Sequence, residues 1–324
     1  MPDLLCCDVT LREMPNGDWV VFMLGGGWKE PLPENRIMLL RSIDRGTTWS
    51  DPVSLFDETG IPTEVTVIGE KITLYFVTHR GDFGNWFSWF TVSSDNGQSW
   101  TERGPAPVFP ERSAFRGVHR HSSGALLLPY QYYPLPFAEE ERLAQEDIGL
   151  TKSKYVGYQN GVLKSRDNGD TWEPTEPVSI DTGRWNWSEL GLAELSNGTV
   201  TMLVRVDGTG RLYRSDSSDV GESWCEPYPT DIPNPGSKIR LFTLPDGRVA
   251  LIHNPNPKPG FINRHPLSLW ISTDDMKSWS TKCDLHTFPG AHSYPDGFLD
   301  WDAQRLHISS DYNRHDAIYA GIGV

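Results

Sequence analysis

Cysteine is scarce in this 324-residue chain. Its four thiols, Cys6, Cys7, Cys225 and Cys283, form no C-x-x-C pair, and the adjacent Cys6 and Cys7 alternate faces on a strand. That spacing points away from a zinc site or a disulfide framework, and neither a metal nor another cofactor is expected. Apolar runs of membrane-spanning length are also missing. The opening Met1-Pro2-Asp3-Leu4-Leu5 has neither a charged n-region nor an apolar core, so a cytosolic protein is the expectation, although a chain trimmed of a secretory leader would read the same. For the same reason Asn186-Trp187-Ser188 and Asn197-Gly198-Thr199 are read as chance matches to the glycosylation pattern. Positive charge is outnumbered, with 29 Lys and Arg against 43 Asp and Glu, a net charge of −14. So acidic a surface disfavours nucleic acid and anionic membranes as partners. It still leaves room for an anionic small ligand held by a local cluster of arginines.

What the chain has in quantity is one repeated octapeptide. Ser165-Arg166-Asp167-Asn168-Gly169-Asp170-Thr171-Trp172 shares the form S-x-D-x-G-x-[ST]-W with stretches beginning at Ser42, Ser93 and Ser217; a fifth, beginning at Ser272, has Met276 in place of the glycine. The Asp side chain can bond the backbone of its own turn, the Gly permits positive φ, and the Trp covers the hairpin. The Asp residues fall at 44, 95, 167, 219 and 274, spaced by 51, 72, 52 and 55 residues. Those periods belong to propeller blades rather than helical solenoids. Thirty Gly, 25 Pro and 13 Trp suit many short strands joined by turns.

The octapeptide resembles the Asp-box of the sialidase (BNR-repeat) superfamily, where it pins an outer hairpin and is not an active site. The reading is therefore an all-β chain forming a six-bladed β-propeller, one domain over 1–324 with an insertion at about 134–154. Between boxes an apolar strand, a turn, a second strand and a box strand recur. Blade one takes 6–11, 19–24 and 36–41; blade three takes 115–121, 125–130 and 155–164; blade five takes 238–244, 248–254 and 267–272. The tail, at 293–299, 305–310 and 317–324, forms a sixth blade without a box, which the N-terminal segment can complete.

In such blades the start of each first strand and the end of each second strand lie at one end of the axis, the expected pocket. First-strand starts offer Asp8, Glu64, Arg116, Glu189, Lys238 and Tyr294. Second-strand ends offer Gly25-Gly26-Gly27, His79, Gln131, Arg205, Asn254 and Asp311, and the loop after Asn254 adds Arg264. So many ionisable groups converging on one place point to an enzyme pocket.

The sialidase resemblance assigns roles to some of these. Glu189, Leu195-Ser196-Asn197-Gly198 and Arg205 match the family's Glu, L-x-[DN]-G turn and strand-ending Arg; Arg264 and Tyr294 match its next Arg and its Tyr. By that resemblance Tyr294 is the nucleophile, Glu189 its base, and Arg205 and Arg264 the carboxylate clamp. A phenol needs a carboxylate to take its proton, and a planar guanidinium pairs with a carboxylate through two bonds. The family's proton donor lies about ten residues ahead of the first box Asp, where this chain has Glu34. The family's first-blade Arg-Ile-Pro is absent: Asp8 stands near that level, and Arg12 lies close to the far turn. The implied activity is a retaining exo-glycoside hydrolase that removes a terminal acidic sugar, with carbohydrate as the partner. Two alternatives remain. His119 and His121, on one face of a strand, would join Tyr294 and Arg205 in a uronate lyase or rhamnosidase-like propeller. A non-catalytic carbohydrate-binding propeller would keep the arginines without chemistry.

Overall fold

The computed structural model describes residues 5–79, 86–155 and 157–324. Among these residues six antiparallel sheets surround a central axis as the blades of a propeller. Blade one consists of Cys6–Glu13, Trp19–Gly25, Arg36–Ser42 and Val53–Ser54, in order from the axis outward. Blades two, four and five repeat this four-stranded meander, opening with Ile61–Ile68, Leu190–Glu194 and Arg240–Thr243. Both faces of a blade pack against neighbours, so inner strands are apolar throughout; all six residues of Val200–Arg205 are buried. The core lies between blades: Met14, Val20 and Phe22 of blade one interlock with Val65, Ile72 and Leu74 of blade two.

The five boxes explain the repeat. The Ser42 hydroxyl donates to Asp44 (2.8 Å) and accepts the Gly46 amide (2.8 Å), while the Asp44 carboxylate accepts the Thr48 amide (2.8 Å) and hydroxyl (2.6 Å). The same bonds recur at Asp95, Asp167, Asp219 and Asp274. In the fifth box Met276 keeps the turn at φ 61°, and its side chain is buried between blades four and five. The boxes also clamp one blade to the next. Trp100 meets Phe22 edge-on at 5.9 Å, Lys71 donates to the Gly169 carbonyl, and Ser196 donates to Asp275.

Three features depart from simple repetition. In blade three the strand expected at 115–121 breaks into Ser113–Phe115 and His119–Arg120, both paired with Leu126–Tyr132. Pro129 lies opposite the break and has no N–H for the ladder, although its carbonyl still accepts the Arg116 amide. The insertion forms a helix, Phe137–Glu146, and a short 3-10 turn, Leu150–Lys152; buried Leu143 and Leu150 anchor them, with Arg112 pairing to Glu140. Blade six has three strands, His292–Asp300, Arg305–Tyr312 and Asp316–Gly323. Of the segment ahead of Cys6 only Leu5 is among the described residues, and its amide bonds to Gly27 of blade one. Blades one and six close the ring face to face. The Cys6 amide donates to the Arg314 carbonyl (3.0 Å), Ser309 donates to the Val9 carbonyl (2.8 Å), and Trp19 packs on Phe298 and His307.

Candidate active site

A cavity of about 520 Å³ opens at one end of the axis, with every blade contributing to its wall. At its floor the Glu189 carboxylate takes two bonds from Arg205 Nη1, at 3.0 and 2.9 Å, and Arg116 stands 3.9 Å away. Register explains the meeting: Glu189 precedes the first strand of blade four, Arg205 ends the second, and the Arg205 amide donates to the Glu189 carbonyl. Arg205 is fixed further by Asp207 at 2.7 Å. Burial alone would push the Glu189 carboxyl up, but Arg205 and then Arg116 outweigh it and hold the group below its ordinary range.

Tyr294 sits in the inner strand of blade six, where a bulge between Ser293 and Asp296 turns the chain. Its φ of 52° is left-handed, uncommon for an aromatic residue, and sets the phenol in the cavity wall. Asp296 secures the bulge by accepting the Gly297 amide and a bond from Arg12. Burial pushes the Tyr294 phenol up, against the pull of Arg264 and Arg314, whose guanidinium carbons lie 5.1 and 5.9 Å from the ring centroid.

Arg264 differs from the other cavity arginines. It is only 6% exposed, donates to the Gly236 carbonyl at 2.8 Å, and reaches Ser293 at 3.4 Å. Its Nε has no partner, and no carboxylate among the described residues pairs with it. A buried guanidinium without a counter-ion is a prepared seat for an anion.

Two cavity residues escaped the sequence reading. Glu30 lies in the loop after Gly25 and Arg314 in the last hairpin, and they form an ion pair across the seam between blades one and six. Burial pushes the Glu30 carboxyl up more than Arg314 draws it down. Asn35 shapes the loop by accepting the Leu32 amide and donating to the carbonyls of Gly26 and Lys29. Asn35 beside the triple glycine was the available signal for Glu30; for Arg314 only the turn Asn313-Arg314, both left-handed, offered a hint. Sulfur and oxygen atoms of Cys7, Asp8 and Glu30 lie within 4.8 Å of one another, a spacing that suits a cation. That place is taken by Arg314, which contacts both Glu30 and Cys7 (3.4 Å), and burial holds the Cys7 thiol protonated.

The structure thus brings Glu189, Arg205, Arg264 and Tyr294 together, with Asp8, Arg116 and Gln131 also on the wall. It does not bring Glu34 there. The Asn35-braced loop brings Glu30 to the cavity wall and leaves Glu34 exposed and outside the lining. His119 lines a separate groove that Leu195 and Ser196 also border, and His121 is buried next to it against the turn at 196–198. There Glu194 stands 3.7 and 3.3 Å from them, and His121 Nε2 is 3.0 Å from the Gly198 carbonyl. The break at Pro129 lets the short second piece of the inner strand pair near the far end of the blade, so these histidines share no wall with Tyr294 or Arg205. The expected His/Tyr/Arg set of a lyase is therefore not assembled. Glu64 is spent on Arg12, Lys238 lies between Asp8 and Asp296, and Asn254 ties the carbonyls of Pro266 and His292 together.

The BNR repeat-like domain family model matches residues 57–308. A sialidase of Paraclostridium sordellii is 22% identical over 278 residues, which is 74% of this chain and 60% of that protein; the chain thus spans less than two thirds of this relative. Among solved structures, a protein of unknown function from Dyadobacter fermentans superposes with a TM-score of 0.73 at 17% identity, covering 99% of this chain and 94% of the other. A Hadza microbial sialidase gives 0.74 at 15% identity, covering 99% and 66%. The Trypanosoma rangeli sialidase gives 0.68 at 17%, covering 98% and 54%.

Proposed function

Because this chain belongs to the BNR repeat-like family of the sialidase superfamily, we propose that its cavity is the active site of a retaining exo-glycoside hydrolase acting on a terminal acidic sugar. The observation that carries this reading is Arg264, a buried cation on the cavity wall that no carboxylate among the described residues pairs with. A sugar carboxylate supplies the missing partner, so the ligand is anchored by its charge and its anomeric carbon is held at a fixed place.

In this mechanism Tyr294 attacks the anomeric carbon while Glu189 accepts the phenolic proton. Glu189 is suited to that task because Arg205 and Arg116 keep it ionised. The bond to the departing oxygen breaks, and that oxygen takes a proton from Glu30, whose burial favours the protonated form. Water then attacks the anomeric carbon of the glycosyl–tyrosine intermediate, an aryl glycoside; the bond to the Tyr294 oxygen breaks, Glu30 takes the proton of the water, and Tyr294 recovers its own from Glu189. A neutral nucleophile avoids repulsion from the anionic sugar.

The test is hydrolysis of fluorogenic glycosides of acidic sugars, an α-sialoside and two hexuronides, by the wild type and by Tyr294→Phe. Turnover that falls roughly a thousandfold in the variant, with ligand affinity kept, is the expected result for a removed nucleophile. No turnover in the wild type on any acidic glycoside, with binding retained, would leave the non-catalytic carbohydrate-binding propeller as the better reading.

A further inference from the structure

The blade-one wall of the cavity carries the opposite charge from its blade-five wall. Asp8 lines the cavity and is only 8% exposed, yet no hydrogen-bond donor of the described residues reaches its Oδ1; the nearest cation, Lys238 Nζ, stands 3.8 Å away. The residue sits at φ 50° in a bulge between Cys7 and Thr10. The bulge in blade six that holds Tyr294 has the same form, with a left-handed residue opening the wall. A buried carboxylate without donors is costly to a fold, and nothing in the packing requires one here. Lys238 does not resolve the matter, since it also lies 4.0 Å from Asp296 and divides its charge between the two.

We propose that Asp8 is a specificity-determining residue that accepts hydrogen bonds from the ring hydroxyls of the acidic sugar whose carboxylate sits on Arg264. The proposal rests on the reading of the cavity as an acidic-sugar site. It narrows the ligand: one end presents a carboxylate to blade five, and the other presents donors, not a second anion, to blade one. Hexuronic acids have this form, with one carboxylate and free hydroxyls across the ring. A site with a buried acceptor discriminates strongly against a ligand that cannot donate to it, because the acceptor is then left unpaired.

The experiment is calorimetric titration of D-galacturonate, a galacturonate analogue deoxygenated at its ring hydroxyls, and N-acetylneuraminate into the wild type, Asp8→Asn and Arg264→Met. Asn tolerates the left-handed backbone as Asp does, so Asp8→Asn is expected to fold, and a melting curve without ligand checks it. The expected result is a loss of about tenfold or more in galacturonate affinity in Asp8→Asn, little change for the deoxygenated acid, and an unliganded melting temperature no lower than wild type. Unchanged or tighter binding of galacturonate in Asp8→Asn overturns the proposal, since a carboxylate that merely repels the ligand would release affinity when neutralised. If Asp8→Asn behaves so while Arg264→Met abolishes binding, the acidic-sugar reading survives and only the role of Asp8 fails. Acid binding that is indifferent to Arg264→Met overturns both.

Discussion

Two buried arginines of this propeller, Arg12 and Arg264, are treated in opposite ways. Outside the cavity, Arg12 is saturated: it bonds Glu64 at 2.9 Å, Asp296 at 2.9 Å and the Val65 carbonyl at 2.6 Å, while Arg240 also approaches Asp296 at 3.5 Å. Inside the cavity, Arg264 has carbonyl and hydroxyl partners but no counter-charge among the described residues. Residue type is the same and burial is nearly the same. A complete set of partners makes a strut, and an incomplete set makes a binding site.

The strongest way to break this comparison is to open the strut. Arg12→Met leaves Glu64 and Asp296 facing one another with their main counter-ion gone, and removing one member of a buried pair costs on the order of 3–5 kcal/mol. Denaturant unfolding should show that loss. Arg264→Met removes an unbalanced charge, so its stability should stay within about 1 kcal/mol of wild type while acid-sugar binding disappears. An equal loss of stability in both variants would dissolve the distinction.

The next effect is one of pH. Asp311, beneath the seam, has Oδ2 without a partner, and burial pushes its carboxyl up to about 8 despite the nearby Arg314. The unfolded chain releases this proton near pH 4. Between pH 4 and pH 8 the native state therefore binds the extra proton, and stability attributable to this group falls as pH rises through that window. Asp311→Asn should flatten the decline, measured as melting temperature at pH 5 and pH 8. The boxes act in the opposite sense. Asp44, led by its bond from the Thr48 hydroxyl, is lowered to about 2, and Asp219 and Asp274 are also lowered to about 2. Their contribution is complete above the ordinary carboxylate range and disappears as pH falls from about 4 toward 2. The smallest effect is expected at Met276→Gly, where relief of a left-handed backbone and loss of a buried side chain nearly cancel, to within about 1 kcal/mol.

The strut and the binding site were not equally legible in the sequence. Glu189, Arg205, Arg264 and Tyr294 were found because each lies at or near a strand end, where blade register fixes the level of a side chain. Glu30 and Arg314 were missed because loop geometry aims them: Asn35 sets the first, and a turn with two left-handed residues sets the second. Glu34 was chosen by counting from the box, and counting cannot follow a loop that doubles back. His119 and His121 were placed by assuming a continuous strand, and Pro129 interrupts it. Arg12 looked like a residue of the far turn, because its partners come from blades two and six and are invisible at short range.

The seam between blades one and six has a consequence for how this molecule comes into being. Asp8 and Glu30 are made long before Tyr294 and Arg314, yet all four border one cavity. The five boxed blades can collapse locally as each hairpin emerges from the ribosome, since every box closes within its own octapeptide. The cavity cannot. Its first wall waits, with the Glu30 carboxylate and the Cys6 amide both lacking their partner Arg314, until more than 280 further residues have been synthesised. Ring closure is the most non-local event in the fold and hence the slowest class of contact to form. The cavity wall is therefore complete only once the blade-six hairpin that carries Arg314 has formed.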